Sequence, residues 1–327
     1  MYLIMNPFYN PSFNLALEEY LLTGSNMEII MLWQNNPSVI IGNNQNTIEE
    51  INDEYTKEND IYVVRRLSGG GAVFHDLGNI NYTIINKQSE DNFGGYDAFT
   101  LPVQEYLKTL GINAEFSGRN DLVINGEKFS GNAQAMKKDR IMHHGCILFN
   151  TDFSHLVSAL KPKSEKIESK GIKSIRSRVT NVSSHLSTPM TSDEFLQGLG
   201  HHFEKTVANI KKYELTKQDI AGAQKLSNEK YSTWEWNYGR SPIYNWQNSK
   251  RFNFGTVDVR LNVKGGNIED ITFFGDFFGV LEKEGLEKLL VGTRHDKQHI
   301  MEAIGNTNIG LYIHGMTSPE LGALICP

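Results

Sequence analysis

The chain has 327 residues, which exceeds the size at which one hydrophobic core usually stops growing and therefore favours two domains. Its 39% hydrophobic and 21% charged residues are typical of a folded protein, and its net charge of −6 argues against nonspecific nucleic-acid binding, which needs a basic surface. Two cysteines without C-x-x-C spacing, no basic leader and no long apolar run together indicate a cytoplasmic protein without a membrane span.

The first predicted elements are one helix and a series of short strands. Asn10, Pro11 and Ser12 precede apolar residues spaced i, i+4 and i+8, which predicts a capped amphipathic helix. Residues 97–110 form a second predicted helix, which ends at Gly111. Between the two helices lie four β-type runs, with the sequences EIIMLW, PSVIIG, IYVVRR and INYTII.

Later in the chain, two glycine-containing turns predict β-hairpins. Asn125-Gly126 lies between two β-type runs, and both residue types tolerate the positive φ of a type I′ turn. HHGCILFN is a further predicted strand, and Thr191 with Glu194 has capping-box spacing at the start of a helix over 191–210. A second hairpin is predicted around Gly265-Gly266, followed by a mainly helical C-terminus. We expect domains 1–247 and 248–327.

The stretch RRLSGGGAVFHDLGN contains three consecutive glycines between two predicted strands. It lacks the G-x-x-x-x-G-K-[ST] spacing of a phosphate-binding P-loop. It also fails the dinucleotide pattern, because Phe74 stands where the third glycine should be and a strand follows instead of a helix. Because glycine has no side chain, the backbone of this loop can approach a ligand closely and can offer N–H groups to an anion. Arg65 and Arg66 precede this loop and alternate across the predicted strand, so only one of them can point at a bound ligand.

A second polar motif, GRNDLVINGEKFSG, offers Asn120, Asp121 and Lys128. An adenylating enzyme must neutralise a substrate carboxylate and an α-phosphate that repel each other, and it must hold Mg²⁺ on the phosphates. One lysine and one aspartate meet both demands. The two motifs together therefore indicate nucleotidyl transfer.

Several long motifs in this order resemble the lipoate–protein ligase A family. They are RRLSGGGAVFHDLGN, GRNDLVINGEKFSGNAQ, HHGCILFN, KGIKSIRSRVTN and WEWNYG. The resemblance covers roughly residues 1–247, and the remaining length is consistent with the small accessory domain of that family. It implies an α+β catalytic domain related to biotin protein ligases, with a largely antiparallel mixed sheet, and a small α+β C-terminal domain.

The resemblance also implies two half-reactions. Lipoate and Mg²⁺–ATP give lipoyl-AMP and pyrophosphate, and a lysine of an acceptor protein then takes the lipoyl group as an amide. The implied acceptors are the lipoyl domains of 2-oxoacid dehydrogenase complexes and the glycine cleavage H protein. The resemblance thus implies an enzyme of cofactor salvage, which attaches free lipoate to proteins.

Matched position by position, the family pattern implies roles for individual residues. Lys128 corresponds to the catalytic lysine, which contacts the activated carboxyl group and the α-phosphate, and Asp121 to a Mg²⁺ ligand. Implied adenylate contacts are Arg66, Gly71, Ala72, Val73, Phe74, Asn79, Asn120 and Lys128. Implied lipoate contacts are Leu17, Arg66, Ser68, His75 and Lys128. The sequence departs from the family at Asn132, where small hydroxyl residues are common.

Two other functions fit parts of the sequence. Related transferases use a cysteine thioester in place of ATP, so Cys146 on the HHGCILFN strand is a candidate nucleophile of an octanoyl or lipoyl amidotransferase. A buried, inert thiol is the alternative for this residue. A lipoyl-domain binder without activity is disfavoured, because binding alone does not need Lys128 and Asp121 together.

One segment departs from the acidic character of the chain. Residues 161–178 carry seven basic and two acidic side chains. This pattern is typical of a solvated surface, or of a surface that docks an acidic partner. Since the resemblance implies lipoyl-domain acceptors, which are commonly acidic, we expect the segment to close over the adenylate or to guide the acceptor.

Overall fold

A computed structural model describes residues 1–88, 94–118, 120–160, 179–239 and 244–326. The chain divides into two compact units. The first unit consists of Met1–Ile41, Thr47–Arg66 and Ala72–Asn237, and the second of Gly42–Asn46, Leu67–Gly71 and Tyr238–Pro327. The second unit therefore combines the C-terminal part of the chain with two short earlier segments. The division into domains 1–247 and 248–327 stays a prediction.

Two helices begin at side-chain caps that the sequence predicted. The side chain of Asn10 accepts a hydrogen bond from the backbone N–H of Phe13 at 3.0 Å, and Pro11 occupies the first turn, where its missing N–H is tolerated. Thr191 and Glu194 form the predicted capping box. The α-helices are α1 (Pro11–Gly24), α2 (Thr47–Glu50), α3 (Asp53–Glu58), α4 (Tyr96–Thr109), α5 (Phe153–Ala159), α6 (Ser192–Thr206), α7 (Lys217–Leu226), α8 (Trp234–Asn237), α9 (Lys283–Leu290), α10 (Lys297–Ile304) and α11 (Ser318–Ile325).

The strands match the predicted β-type runs, with several additions. The first unit contains β1 (Tyr2–Met5), β2 (Ile29–Trp33), β3 (Ser38–Ile41), β4 (Tyr62–Arg65), β5 (Val73–His75), β6 (Asn79–Lys87), β7 (Glu115–Ser117), β8 (Asp121–Ile124), β9 (Glu127–Lys137), β10 (Arg140–Leu148) and β11 (Lys211–Lys212). The second unit contains β12 (Trp246–Phe252), β13 (Gly255–Lys264) and β14 (Asn267–Gly275).

An eight-stranded sheet organises the first unit, in the order β11-β1-β2-β6-β10-β9-β8-β7. Strand β1 pairs in parallel with β2 and β11, and the other neighbours are antiparallel, which confirms the expected largely antiparallel mixed sheet. One face of this sheet belongs to a hydrophobic core that also includes side chains of α4 and α6. Its buried aromatic members include Tyr82, Phe99, Phe129, Phe149, Phe195 and Phe203.

The glycine run follows β4 and precedes β5, so it connects two strands as predicted. The sequence pattern predicted that this loop leads directly to the strand observed as β6, and it did not predict β5. Strand β5 has three residues, too few for a periodic pattern, and it is fixed by antiparallel pairing with β3. Strands β4, β3 and β5 form a separate three-stranded sheet in that order.

The second unit is built on the antiparallel strands β12, β13 and β14. Gly265 and Gly266 form the predicted turn with φ values of 58° and 83°. Helices α9, α10 and α11 follow, as expected for a mainly helical C-terminus, and their apolar side chains pack with the sheet in a second core. None of the described helices combines the length and apolar character needed to cross a bilayer.

Candidate active site

A row of side-chain positions crosses the large sheet on the face opposite to its core. Residues directly opposite each other on antiparallel strands point to the same face. Tyr82, Leu122 and Ile147 belong to the core, so their neighbours along β6, β8 and β10 point the other way. The register places Trp33, Asn81, Cys146, Gly131 and Asp121 in one row on that second face.

Lys128 and Asp121 form an ion pair at one end of this row. Asn125 and Gly126 have φ values of 53° and 82°, which confirms the predicted tight turn between β8 and β9. The Lys128 Nζ lies 2.7 Å from Asp121 Oδ1, and the two side chains are 38% and 35% exposed. The lysine carbonyl also accepts a hydrogen bond from the N–H of Thr180 at 2.9 Å. The backbone hydrogen bond and the ion pair with Asp121 therefore fix the position of Lys128, while its ammonium remains exposed enough to contact a ligand.

Gly131 leaves room for the lysine side chain. A Cβ atom at this position would lie 3.1 Å from Lys128 Nζ and 3.2 Å from Lys128 Cε. The Sγ of Cys146, on the adjacent strand, lies 3.7 Å from the carbonyl oxygen of Gly131. The lysine ammonium thus lies over the row between Asp121 and Cys146.

Asn120, next to the start of β8, and Asn132 of β9 are joined by reciprocal hydrogen bonds. The Asn120 side-chain amide donates to the Asn132 carbonyl at 2.5 Å, and the Asn132 backbone N–H and side-chain amide donate to the Asn120 carbonyl at 3.0 and 3.1 Å. The Oδ1 of Asn132 contacts the Tyr82 hydroxyl and His143 Nε2 in the core. A Cβ at Gly145 would come within 2.2 Å of that oxygen, so this glycine makes room for the larger side chain at position 132.

Arg66 is a buried cation near the row. Its Nη1 donates to the carbonyl of Ile40 at 3.1 Å, and its backbone N–H donates to the carbonyl of Ile41 at 2.9 Å. Burial lowers the pKa of its guanidinium to about 10, against the opposing influence of Cys146 and Glu18. The group therefore stays positively charged at neutral pH and lies within electrostatic range of Cys146.

Glu18 of α1 is a buried carboxylate on the same side of the sheet. Its carboxylate contacts His144 Nδ1 at 3.0 Å and accepts a hydrogen bond from the Thr83 hydroxyl at 2.6 Å. The Trp33 indole in turn donates to the Thr83 hydroxyl at 2.8 Å. These contacts fix α1 against the strands next to the row.

His75 is held in one tautomer by buried asparagines. The Asn14 amide donates to Asn35 Oδ1 at 2.9 Å, so the Asn35 amide nitrogen faces His75 Nδ1 at 3.1 Å and donates to it. Burial, together with the electrostatic influence of Arg66 and His144, lowers the pKa of His75 to about 3. The ring is therefore neutral at physiological pH, with its proton on Nε2.

Comparisons with known proteins identify the family of the chain. Residues 10–204 match the family described as lipoyl protein ligase A/B catalytic domain, and residues 241–325 match the bacterial lipoate protein ligase C-terminus. The chain belongs to the lipoate–protein ligase family. The lipoate-protein ligase LplJ of Bacillus subtilis is 48% identical over 320 residues, which are 97% of either chain.

Two solved ligase structures share the fold. The crystal structure of P. falciparum LipL1 in complex with lipoate superposes with a TM-score of 0.77 at 29% identity, over 94% of each chain. A lipoate-protein ligase A bound with ATP superposes with a TM-score of 0.63 at 30% identity, over 72% of this chain and 98% of its own.

The structure places the other predicted ligase residues as follows. Leu17 is fully buried in α1, and Asn79 is fully buried at the start of β6. Phe74 is buried and stacks on His155, with the ring planes 13° apart, whereas Ala72 and Val73 are half-buried. Ser68 and Gly71 belong to the second unit, while Arg66, His75, Asp121 and Lys128 belong to the first. The basic segment 161–178 lies outside the described residues.

Sequence reasoning missed four buried polar residues beside this candidate site. They are Asn14, Glu18, Asn35 and His144. A carboxylate inside the apolar run LALEEYLL was the available signal for Glu18, because a charge is rarely buried without a partner. The asparagines carried no comparable signal, since asparagine is common in turns and helix caps.

Proposed function

We propose that the protein is an ATP-dependent lipoate–protein ligase. It activates lipoate as lipoyl-AMP and transfers the lipoyl group to a lysine of an acceptor lipoyl domain. The Lys128 ammonium, held by Asp121 over the polar row near the buried Arg66, carries this proposal. An exposed lysine ammonium, together with a buried arginine within electrostatic range of the same row, fits a reaction that brings a carboxylate to a phosphate.

The first half-reaction joins two anions. A lipoate carboxylate oxygen attacks the α-phosphorus of ATP, the bond to the β-phosphate oxygen breaks, and pyrophosphate leaves. Lys128 is proposed to contact both the carboxylate and the α-phosphate, which lowers their repulsion and stabilises the charge of the transition state. Arg66, cationic at neutral pH, is the proposed second phosphate ligand.

In the second half-reaction, the ε-amine of the acceptor lysine attacks the lipoyl carbonyl carbon. The bond to the AMP oxygen breaks, AMP leaves as its anion, and the amine releases one proton to water as the amide forms. His75 Nε2–H is a proposed donor to the carbonyl oxygen, because Nδ1 already accepts from Asn35. The proposed acceptors are lipoyl domains of 2-oxoacid dehydrogenase complexes and the glycine cleavage H protein, in the cytoplasm.

Mg²⁺ is proposed to be held by triphosphate oxygens and by Asp121. Mg²⁺ in such sites keeps several waters and takes only one or two carboxylates in addition to phosphates. The half-exposed Asp121 carboxylate fits that limited requirement. Among the described residues there is no cluster of three or more His, Cys, Asp or Glu side chains suited to a metal, so the phosphates would supply most ligands.

The remaining contacts are proposed from the family pattern and the fold. Asn79, Asn120 and the backbone of Ala72, Val73 and Phe74 are proposed to bind the adenylate. Leu17 is proposed to flank the dithiolane ring. The roles of Ser68 and Gly71 stay predictions.

The alternative amidotransferase function has less support. The chain resembles an ATP-bound ligase over nearly the whole length of that ligase, and it matches the C-terminal ligase family. The Cys146 thiol contacts the Gly131 carbonyl in the polar row and lies within electrostatic range of Arg66. A nucleophilic role for this thiol is therefore not needed to explain its position.

The proposed function is tested by lipoate-dependent ATP–pyrophosphate exchange, with octanoate and biotin run in parallel. We expect exchange with lipoate, and a lipoyl mass increase on a purified lipoyl domain when ATP is present. Biotin serves as the control for nonspecific activation. Absence of exchange, combined with transfer from an acyl-carrier-protein thioester, would contradict the proposal and favour the Cys146 mechanism.

Gly131→Ala is expected to weaken activation without unfolding the protein. The new Cβ would crowd the end of the Lys128 side chain, which is flexible and can move by a few tenths of an ångström. Since small displacements of a catalytic group are costly, we expect the exchange rate to fall by about tenfold. Gly24→Ala, whose Cβ would meet only the Tyr20 ring at 3.8 Å, is the matched control. Equal exchange rates for the two variants would show that the position of Lys128 is not restricted by Gly131.

A further inference from the structure

Two buried asparagines on β6 form a pair with unused hydrogen-bonding atoms. Asn79 and Asn81 are 0% and 1% exposed, and the Asn79 amide donates to Asn81 Oδ1 at 2.9 Å. Within the part of the chain that the structure describes, Asn81 Nδ2 and Asn79 Oδ1 have no hydrogen-bond partner. Buried amide atoms are nearly always paired, so two unpaired ones side by side require an explanation.

The position of Asn81 connects it with the reacting groups. It lies opposite Cys146, which lies opposite Gly131, the residue covered by Lys128. Two strand spacings separate Asn81 from Gly131, a distance of about 10 Å. A small group bound over Cys146 would therefore lie between the Asn81 amide and the Lys128 ammonium.

The atom of Asn81 without a partner among the described residues is the amide nitrogen Nδ2, and its donor character determines which chemical group it can bind. Asn81 Oδ1 accepts from Asn79, whereas the N–H donors of Nδ2 match an oxygen acceptor. On the far side of Asn81, the next residues of the second face are Thr83 and His144, which α1 covers through Glu18. The proposed lipoate contact Leu17 lies on the same helix. The acyl tail would thus approach from α1, and its carboxyl end would reach Asn81 first.

We propose that Asn81 binds a carboxylate oxygen of the acyl substrate through Nδ2, opposite Lys128. This inference rests on the proposed ligase function and adds a substrate-binding residue to it. The Asn79 amide holds Asn81 in the donating orientation. Asn79 Oδ1 remains as an acceptor for a hydroxyl or amine of the nucleotide.

The decisive variant is Asn81→Asp in the full-length protein. Aspartate keeps the size and still accepts from Asn79, but it loses the donor and places an anion beside the lipoate carboxylate. Hydrogen bonds to charged groups are worth enough that their loss should raise the Kd of lipoate about 10- to 100-fold. Asn81→Ala should raise it to a similar extent, and both variants should leave the KM for ATP within about twofold. Calorimetric titration with lipoate alone and pyrophosphate exchange give these values.

Asn86→Ala is the matched control, because Asn86 lies on the same strand and also has a buried oxygen without a partner among the described residues. It pairs with Ile141, away from the row, and should change neither lipoate nor ATP binding. An unchanged lipoate Kd in Asn81→Asp, or a change in the KM for ATP alone, would overturn the inference. If the wild-type protein shows no lipoate-dependent exchange, the ligase function fails. If the wild type is active and Asn81→Asp binds lipoate normally, only this inference fails.

Discussion

Lys128→Ala is expected to lower the rate of lipoate-dependent pyrophosphate exchange by about 10²–10³, equivalent to about 3–4 kcal/mol of transition-state stabilisation. The ammonium is fixed by Asp121 at 2.7 Å and lies over Gly131, so its charge is in place before the reaction starts. Removing it leaves the carboxylate and the α-phosphate to repel each other. Stability should change little, because the side chain is 38% exposed.

Three further variants make this result specific. Lys137→Ala, at the other end of β9, should retain activity and controls for loss of a positive charge on the strand. Lys128→Arg keeps the charge but not the compact ammonium, and it should restore only part of the rate. Cys146→Ala should be much less damaging than Lys128→Ala. The reverse order would contradict the adenylation mechanism and support a thioester.

Local motifs predicted the β8–β9 hairpin, which carries Lys128 and Asp121. The Asn125-Gly126 turn fixes the register between β8 and β9, so that turn alone places Lys128 on the same hairpin as Asp121. The capping box at Thr191 was equally predictable, because its partners are three residues apart. Features determined by a few neighbouring residues were thus available from sequence.

The polar row could not be predicted in the same way. Asn81, Gly131 and Cys146 come from three strands, and their adjacency depends on which strands pair and in which register. A shift of one residue would move each side chain to the opposite face. The order β6-β10-β9 is set by the packing of the core on the other face, which local sequence patterns do not encode.

Asn14→Leu is expected to lower the free energy of unfolding by about 3–5 kcal/mol, the largest stability effect predicted for a single substitution in this protein. The Asn14 amide nitrogen lies 2.9 Å from the carbonyl oxygens of Phe8 and Gln34 and from Asn35 Oδ1, and its two hydrogens are shared among these three acceptors. Its own Oδ1 accepts from the Asn6 amide at 2.8 Å. Leucine fills a similar volume but cannot supply the hydrogen bonds of Asn14 to these four partners, three of which belong to the buried residues Asn6, Gln34 and Asn35.

Urea unfolding followed by tryptophan fluorescence measures this loss, and Asn113→Leu, the same change at an exposed position, should alter stability by no more than about 0.5 kcal/mol. A loss below about 1 kcal/mol for Asn14→Leu would contradict a structural role for the asparagine network. The network also orients the Asn35 amide toward His75, so the effect should extend beyond stability. In molecules that remain folded, acceptor lipoylation from supplied lipoyl-AMP should slow, because His75 Nε2 no longer carries its proton in every molecule.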